Sequence, residues 1–495
     1  MARLRVSLSF LGLLLVSAVF APAAGAAAFQ ATGIKITEPT ATSVSIWTRV
    51  TRDAERAADD RPLPITHIYD RGTAAEIPLR DNSAYPNGRP EISFPPGADL
   101  GSIRGAAVGA VGQTRARFRV MGTRAWVETP WKDVDPKRDF TSVIALTGLQ
   151  SATRYELVVE ARARAGAATT SEVTGGFVTA PLPMANAVIK FCVMTCQQYE
   201  DRDRPGGFAI YPAMQRLRPD FFVNTGDVVY YDHGPVHAVT VDLARYHWAR
   251  MFSFSTLRDF HRQVGSYFMK DDHDVLSDDS HPGARSGDLT FEDGLQIFRE
   301  QTAPSEPPFR AVRWGQHLEV WLLEGRDYRS SREEDRTHTP SILGPKQIAW
   351  LASTLAESNA TFRVVITPTP VVGPDRPAKD DNYSNKGYVV EGTRIREILA
   401  RHANLTVITG DRHWQYVSRD KATGIEEWSV GAASDAHAGG WNEDQPRPEH
   451  RFLRTKHGGF LSGEVKLADA GPSLTLRLHD VNGAVVFETE KPAVK

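Results

Sequence analysis

The chain divides into two regions that differ in how apolar and polar residues alternate. Between residues 28 and about 180, short segments alternate residue by residue, as in Ser43-Val-Ser-Ile-Trp-Thr-Arg49, and turn residues separate them. A period of two is typical of strands with one buried face. From residue 186 onward, fully apolar runs alternate with segments of helical character, which predicts layered α/β packing.

The amino-terminal region is predicted to be a β-sandwich over residues 28–182. Leu149 precedes an alternating strand that contains Tyr155, and this spacing resembles a fibronectin type III or related immunoglobulin-like sandwich. The stretch from Arg52 to about Gly112 is rich in Pro, Gly, Asp and Arg, so we expect a long loop insertion there. We expect a linker at residues 181–183, where two prolines flank a leucine.

The carboxyl-terminal region, residues 186–492, carries the predicted α/β domain. Six apolar runs are interpreted as its strands, at residues 187–195, 220–224, 263–269, 317–323, 361–367 and 404–408. Residues 208–217 and 392–400 have helical character, and residues 458–490 return to the alternation of strands. The order of these segments is typical of a sheet covered by helices.

The first 27 residues have the layout of a secretory signal peptide. Arg3 and Arg5 form a basic start, an apolar run covers residues 8–20, and small residues follow it. A membrane anchor is the alternative, but an apolar core of about 13 residues is shorter than the ~20 that span a bilayer. We therefore predict export to the periplasm or the extracellular space, with no transmembrane segment in the mature protein.

Composition excludes some function classes without selecting one. The chain has 495 residues, 58 Lys and Arg against 60 Asp and Glu, and a formal net charge of -2. This balance argues against a dedicated nucleic-acid coat or a polybasic membrane-surface protein. Cys192 and Cys196 lie about 13 Å apart along one predicted strand, beyond the roughly 7 Å that a disulfide permits. Burial explains Cys192, and metal ligation is the preferred interpretation of Cys196.

Four predicted strands end in residues that can bind metal ions. The strand ends are Thr195-Cys196-Gln197, Gly226-Asp227-Val228-Val229-Tyr230, Lys270-Asp271-Asp272-His273-Asp274 and Gly410-Asp411-Arg412-His413-Trp414. Open α/β sheets place their ligands outside the carboxyl ends of the strands. Each motif alone is typical of a turn or a helix cap, but the four together predict one site.

The residue types of these motifs sort into two metal sites that share one carboxylate. The two sets are Cys196, Asp227, Tyr230 and His413, and Asp227, Asp272 and Asp411. The thiol, phenol and imidazole of the first set suit iron or another borderline transition metal. The hard oxygens of the second set suit calcium or a similar ion. Two metals bridged by a carboxylate can clamp a phosphoryl group and activate water.

Basic residues near these motifs are candidates for proton transfer and substrate contacts. His273 is predicted to protonate a leaving alkoxide or orient a phosphate, and a structural histidine bonded to a backbone carbonyl is the alternative. Arg412 is a catalytic candidate unless it points to solvent, and Asp272 is a catalytic candidate as well as a predicted metal ligand. Arg376 and Lys379 are candidates for phosphate contacts unless their loop is merely solvated. The histidines interpreted as non-catalytic, for want of ligand-like spacing, are His437, His450 and His457.

The order and spelling of the motifs resemble those of the alkaline phosphatase D (PhoD-type) family of calcineurin-like metallophosphoesterases. Cys196 stands in a match to Ser/Thr-Cys-Gln, Asp227 and Tyr230 in a match to Gly-Asp-x-x-Tyr, and His413 in a match to Gly-Asp-x-His-Trp. Two positions depart from the pattern. Asp274 stands where the family has Glu, and Thr367 follows a strand where related enzymes place a histidine.

The resemblance implies a four-layer α/β/β/α catalytic fold behind an immunoglobulin-like amino-terminal domain. It implies hydrolysis of phosphomonoesters or phosphodiesters by a centre that holds Fe³⁺ and Ca²⁺, with other divalent metals as an alternative. The expected substrate is a small-molecule or lipid phosphate ester. We expect no nucleic-acid-specific binding and a monomeric protein.

Two other functions stay open at this point. The same scaffold can serve for a phospholipid or for another ester such as a sulfate, since a metal clamp activates water for several ester classes. A catalytically inert cell-surface binding protein is the second alternative, because sandwich domains often only bind. Stoichiometric iron and calcium in the purified protein distinguish the enzyme from the inert binder.

Overall fold

The computed structural model describes residues 27–78, 88–330, 339–385 and 387–494. The predicted signal peptide at residues 1–27 lies outside the described residues, apart from Ala27. Within the four described ranges, no helix is both long enough and apolar enough to cross a bilayer.

Strands dominate the described chain. The strands are β1 (Ile34–Thr37), β2 (Ser43–Arg49), β3 (Ile65–Asp70), β4 (Glu76–Ile77), β5 (Gly88–Ser93), β6 (Gln113–Val120), β7 (Val127–Glu128), β8 (Lys132–Asp133), β9 (Thr141–Thr147), β10 (Arg154–Arg162), β11 (Ser171–Val178), β12 (Ile189–Met194), β13 (Phe221–Asn224), β14 (Gly265–Phe268), β15 (Arg285–Ser286), β16 (Leu289–Thr290), β17 (Arg310–Trp314), β18 (Leu318–Leu322), β19 (Phe362–Thr367), β20 (Leu405–Thr409), β21 (Gln415–Arg419), β22 (Glu426–Val430), β23 (His450–Arg454), β24 (Gly459–Ala468), β25 (Gly471–Asp480) and β26 (Val485–Pro492). The α-helices are α1 (Ile210–Arg216), α2 (Val241–Phe252), α3 (Ser255–His261), α4 (Phe291–Thr302), α5 (Gly344–Glu357) and α6 (Val389–Leu399), and short 3-10 turns cover Pro136–Arg138 and Tyr199–Asp201.

Two large mixed sheets organise the molecule. The first has nine strands in the order β26-β25-β24-β12-β13-β14-β1-β2-β9, and the second has seven in the order β17-β18-β19-β20-β22-β21-β23. Strands β12, β13 and β14 run parallel in the first sheet, and β18, β19, β20 and β22 run parallel in the second. Parallel strands bring their carboxyl ends to one edge, so the loops that follow them meet there.

The two sheets pack face to face between two layers of helices. In β12, Phe191 and Val193 belong to the core between the sheets, whereas Cys192 and Met194 belong to the core under α1–α4. A third core joins α5 and α6 to the outer face of the seven-stranded sheet. Because both faces of the central strands are buried, their sequences are apolar throughout instead of alternating.

The amino-terminal strands form a two-layered β structure that is continuous with the nine-stranded sheet. Strand β1 pairs in parallel with β14 at Thr37 and Ser266, and β2 and β9 extend the sheet beyond β1. Strands β6, β7, β8, β10 and β11 form the facing sheet, and Ile36, Leu157 and Phe177 lie in the core between them. The region is rich in strands, whereas its immunoglobulin-like class and its boundary at residue 182 stay predictions.

The long loop predicted between Arg52 and Gly112 is wrong for its middle part. Strand β3 pairs antiparallel with β4 and β5 in a small three-stranded sheet. Residues 235–237 are hydrogen-bonded to Thr66 in strand β3 of this sheet. The Thr66 hydroxyl donates to the Pro235 carbonyl at 3.0 Å and accepts from the His237 amide at 2.9 Å. Turn-forming residues outnumber the strand residues in this stretch, so composition alone concealed the strands.

Candidate metal centre

The four predicted motifs meet where β12, β13, β14 and β20 end. Donor atoms of Cys196, Asp227 and His413 all lie within 4.8 Å of one another, and so do donor atoms of Asp227, Asp272 and His273. Asp227 therefore belongs to both groups. The structure brings together the thiol, the carboxylates and the imidazoles that the sequence placed at four separate strand ends.

The turns that carry these residues have unusual backbone conformations. Cys196, Asp227 and Asp411 have φ angles of 50°, 53° and 61°, in the left-handed region that residues other than glycine rarely adopt. Gly226 has a φ of 117°, and a Cβ there would lie 2.7 Å from the Asp271 backbone nitrogen, so this turn accepts only glycine. Such strain persists where surrounding contacts over-determine the backbone, and it is concentrated at functional sites.

Asp274 fixes the turn after β13 through backbone amides. Its Oδ2 accepts hydrogen bonds from the amides of Asp227 at 2.7 Å and Asp271 at 3.0 Å. Its Oδ1 accepts from Val228 at 2.7 Å and Val229 at 3.0 Å. Burial raises the pKa of Asp274 to about 7, and these amides oppose the rise. One carboxylate thus holds the Asp227 turn against the Asp272 turn.

The polar atoms around Asp227 contact one another directly. Asp227 Oδ2 lies 3.3 Å from Cys196 Sγ and 3.2 Å from the Tyr230 hydroxyl, and that hydroxyl lies 3.4 Å from His413 Nε2. Asp227 Oδ1 is buried and has no hydrogen-bond partner. A buried carboxylate oxygen without a partner is costly, and a cation beside it would remove that cost. The donor set and the orphaned oxygen together fit a metal ion.

Burial raises the pKa values of the groups in this cluster. It raises the pKa of the Cys196 thiol, and the neighbouring Asp227 charge raises it further. Burial and Asp227 have the same effect on the pKa of Tyr230. Burial also raises the pKa of Asp227, while the charge of His273 opposes that rise. A bound cation favours the deprotonated forms and would reverse these shifts, since metal ligation deprotonates thiols and other ligands.

Asp272 differs from Asp227 because two positively charged side chains keep its carboxylate ionised. Burial alone would raise its pKa, but the charges of Arg326 and His273 outweigh burial and lower it below the usual value. The buried guanidinium of Arg326 lies 2.5 Å from Asp271 and 3.4 Å from Asp272. Asp272 therefore offers a charged carboxylate to the site.

Asp411 lines the same cavity but is paired with Arg412. Arg412 Nη1 donates to Asp411 Oδ1 at 2.8 Å, and Arg412 Nη2 lies 2.5 Å from Asp375 and 3.1 Å from Asp381. Arg412 is thus buried among carboxylates and does not point to solvent. Among the residues the structure describes, Asp411 joins no group of three donors within 4.8 Å, so its metal ligation stays a prediction.

His273 is held by a carboxylate that the sequence analysis did not single out. Its Nδ1 lies 2.6 Å from Asp232 Oδ1 and its Nε2 lies 4.0 Å from Asp272 Oδ1. Burial lowers the pKa of His273, but the charges of Asp232 and Asp272 outweigh burial and raise it well above the usual value. A protonated imidazole at this position can donate a proton. Asp232 also contacts His233 Nδ1 at 3.1 Å.

A polar cavity of about 660 Å³ opens beside the metal-binding residues. Its lining includes His437 and three basic residues that we call the basic wall, Arg376, Lys379 and Arg412. The Lys379 amine is paired with Asp381 at 3.2 Å and with Asp278 at 3.5 Å. The Arg376 guanidinium lies 5.4 Å from the centre of the Trp414 ring. The cavity therefore joins the predicted metal-binding and substrate-binding residues in one space.

His437 was predicted from the sequence to be non-catalytic, but it lies in this cluster. Its Nε2 lies 2.9 Å from the Tyr230 hydroxyl and its Nδ1 lies 2.9 Å from Asp201 Oδ2. His437 lies in the loop after β22, which is parallel to β20. The end of β22 is thus a fifth strand end at this edge, and recognising it in the sequence would have identified His437 as a candidate. The other two histidines, His450 and His457, do not line the cavity.

Two solved structures share this architecture. One is "Structure of PhoD", which is 16% identical with a TM-score of 0.68 and covers 95% of this chain and 90% of its own. The other is the purple acid phosphatase PPD1 from yellow lupin (Lupinus luteus), which is 11% identical with a TM-score of 0.60 and covers 92% and 73%. At these identities the likeness shows the fold alone. The fold of this chain is therefore the one that these two proteins have.

The family follows from the sequence itself. The model of the PhoD-like phosphatase family matches residues 191–441, which is half of the chain. This chain belongs to the PhoD-like phosphatase family and is a metal-dependent phosphoesterase. No curated protein matches it in sequence. The matched residues include all four motifs and His437.

Proposed function

We propose that this chain is an exported phosphoric ester hydrolase with a dinuclear iron–calcium centre. The observation that carries the proposal is the position of Asp227, whose carboxylate belongs to both groups of donor atoms and has one orphaned buried oxygen. A carboxylate shared by two metals is the arrangement that clamps both oxygens of a phosphoryl displacement. The amino-terminal β region then acts as an immunoglobulin-like domain in front of the catalytic one.

The donor chemistry assigns the two metals to different residues. Fe³⁺ would be held by Cys196, Asp227, Tyr230 and His413, since thiolate, phenolate and imidazole suit a transition metal. Ca²⁺ would be held by oxygens of Asp227, Asp272 and Asp411. When bound, the two metals would supply charge stabilisation for phosphoryl transfer and activation of water.

His273 is the proposed general acid. Asp232 holds its Nδ1 at 2.6 Å, so the imidazole is oriented with Nε2 available for the reaction. The charges of Asp232 and Asp272 raise the pKa of His273, which favours the protonated imidazole. That proton goes to the leaving alkoxide of the ester.

Arg376 is the proposed substrate contact on the basic wall. Carboxylates already neutralise Lys379 and Arg412, so these two residues set the shape and potential of the wall. Arg376 contacts one carboxylate, its neighbour Asp375, at 3.4 Å from Nε. Its two terminal nitrogens can grip non-bridging phosphate oxygens in pairs. The substrate is a small-molecule or lipid phosphomonoester or phosphodiester.

Two substitutions test the proposed function. Asp227→Ala and His413→Ala should each lower hydrolysis of an aryl phosphate and a bis-aryl phosphate by at least about 100-fold, because each removes a metal ligand. His457→Ala is the matched control, since that side chain is 53% exposed. Elemental analysis should find iron and calcium in the control and less of both in Asp227→Ala. Wild-type rates in both ligand variants would overturn the site.

A panel of esters separates the remaining alternatives. Hydrolysis of phosphate esters with iron and calcium bound supports the proposal. Hydrolysis of sulfate esters or phospholipids alone would retain the centre and change the substrate. A folded wild-type protein that binds neither metal and hydrolyses none of these esters would identify an inert binding protein.

A further inference from the structure

We propose that His437, held by Asp201, is a positioning residue that fixes the Tyr230 oxygen in the metal centre. This inference rests on the proposed function, in which Tyr230 is a metal ligand. The His437 ring is buried, and both of its nitrogens have a partner. Nδ1 lies 2.9 Å from Asp201 Oδ2 and Nε2 lies 2.9 Å from the Tyr230 hydroxyl.

His437 makes the shortest polar contact of the Tyr230 hydroxyl. The contact with Asp227 is 3.2 Å and the contact with His413 is 3.4 Å, against 2.9 Å for His437. Two rings add to the restraint, because His437 meets the Tyr230 ring edge-on at 5.1 Å and the His413 ring at 4.1 Å. Without His437, the phenol oxygen would lose its shortest polar contact.

The backbone around His437 is tied to the turns that carry two predicted ligands. The Ala433 amide donates to the Cys196 carbonyl at 3.0 Å, and the Gly439 amide donates to the His413 carbonyl at 3.1 Å. Gly440 has a φ of 105°, and a Cβ there would lie 2.9 Å from the Trp414 ring. The loop after β22 is therefore packed onto the metal-binding turns from both ends.

Asp201 comes from the segment that also delivers Cys196. The chain passes from Cys196 through two glutamines into the 3-10 turn Tyr199–Asp201, which places the Asp201 carboxylate against His437. Partners that orient ligands in this way are worth about 10- to 100-fold in metal affinity or activity. The pair Asp201–His437 thus connects the strand that supplies the thiol with the phenol of the next strand.

The experiment uses the full chain loaded with Fe³⁺ and Ca²⁺ and compares Tyr230→Phe, His437→Phe, His437→Gln and Asp201→Asn. A tyrosinate–iron(III) bond gives a visible charge-transfer band, so Tyr230→Phe should abolish it. His437→Phe should shift the band and lower iron retention against a chelator by about 10- to 100-fold. His437→Gln should restore part of both, because its side chain keeps a polar group near Tyr230. Asp201→Asn should shift the band in the same direction as His437→Phe.

His457→Gln is the matched control and should keep the wild-type band and iron retention. Asp201 is partly exposed, with 28% of its side chain accessible, so Asp201→Asn tests the inference even if His437→Phe fails to fold. A wild-type band in both Asp201→Asn and His437→Phe, with loss of the band in Tyr230→Phe, overturns this inference and leaves the proposed function. An iron-loaded wild type without a band, or one that binds no iron, overturns both.

Discussion

Asp274 shows how one residue can support a metal centre through backbone amides alone. Its two oxygens accept four amide hydrogen bonds, which hold the turn of Asp227 against the turn of Asp272. Asp227 adopts a left-handed φ of 53°, so the turn depends on these bonds to keep its shape. The position of the shared carboxylate is therefore set by a side chain in the loop after the next strand, β14.

Asp274→Asn should weaken both the fold and the centre. One carboxylate oxygen is replaced by an amide NH₂ group that faces backbone donors, and losing acceptors for buried amides costs about 1–3 kcal/mol. We expect a lower urea midpoint and roughly 10-fold weaker iron retention. Asp274→Glu keeps both acceptor oxygens and should recover part of each loss. An Asn variant with the wild-type urea midpoint and full iron content would contradict this role.

At the residue scale, the proposed metal ligands could be found in the sequence, whereas the carboxylates that hold His273 and His437 could not. Cys196 and Asp227 follow apolar runs directly, so local pattern was enough to find them. Asp232 and Asp201 lie 41 and 236 residues from the histidines they hold. Such pairs depend on which loops the folded sheets bring together, and one sequence does not contain that information locally.

At the element scale, the insertion between β2 and β6 connects the amino-terminal region to the loop that carries Asp232. Strand β3 places Thr66 against residues 235–237, directly after Asp232 and His233. Asp232 in turn holds His273. A strand that appeared to be a surface insertion thus stabilises the loop that orients the proposed general acid.

Thr66→Val should lower kcat several-fold and leave the secondary structure intact. The substitution keeps the shape of the side chain but removes the hydroxyl, which leaves the His237 amide without its acceptor. The Asp232 loop then loosens, and His273 is oriented less well, so kcat should fall more than KM changes. Steady-state kinetics and circular dichroism measure the two effects.

Thr73→Val is the matched control for that experiment. It removes a hydroxyl of the same insertion that donates to Asp70 in an exposed turn. We expect wild-type kcat for this control. Equal effects of the two substitutions would show that the insertion acts on the whole fold instead of on the Asp232 loop.

The same scale shows why some elements could be predicted and others could not. Strands β12, β13, β19 and β20 are buried on both faces, and their apolar runs are visible in the sequence. Helix α2 was not predicted, and nine of its twelve residues are buried. Helix α1 lies within the predicted segment 208–217, and helix α6 overlaps the predicted segment 392–400.

At the scale of the whole molecule, His261 makes stability depend on pH. It is buried where α3 ends and is surrounded by rings of Tyr211, Phe222, Phe252, Phe260 and Phe268. Burial lowers its pKa to about 3, with a further contribution from Lys35. In the unfolded chain, the His261 imidazole has the ordinary pKa of about 6.5. Between about pH 3 and pH 6.5, the unfolded chain therefore binds a proton at His261 that the folded protein does not bind.

Acid should therefore destabilise the wild type more steeply than a variant without this imidazole. As pH falls from about 6.5 toward 3, His261 should remove up to about 1.4 kcal/mol of unfolding free energy per pH unit. His261→Phe retains an aromatic ring and should lose this component of the slope. Urea unfolding at several pH values measures it, and parallel pH profiles for the two proteins would refute the assignment.

The parallel pairing of β1 with β14 also has a consequence for how the chain folds during synthesis. Thr37 meets Ser266 about 230 residues later in the chain, and synthesis proceeds at ~5–20 residues per second. The edge of β1 that pairs with β14 therefore stays unpaired for roughly 10–50 s of synthesis, until β14 has been made. An unpaired edge is a template for association with other chains, so nascent chains that stop before β14 should be the species most prone to aggregate.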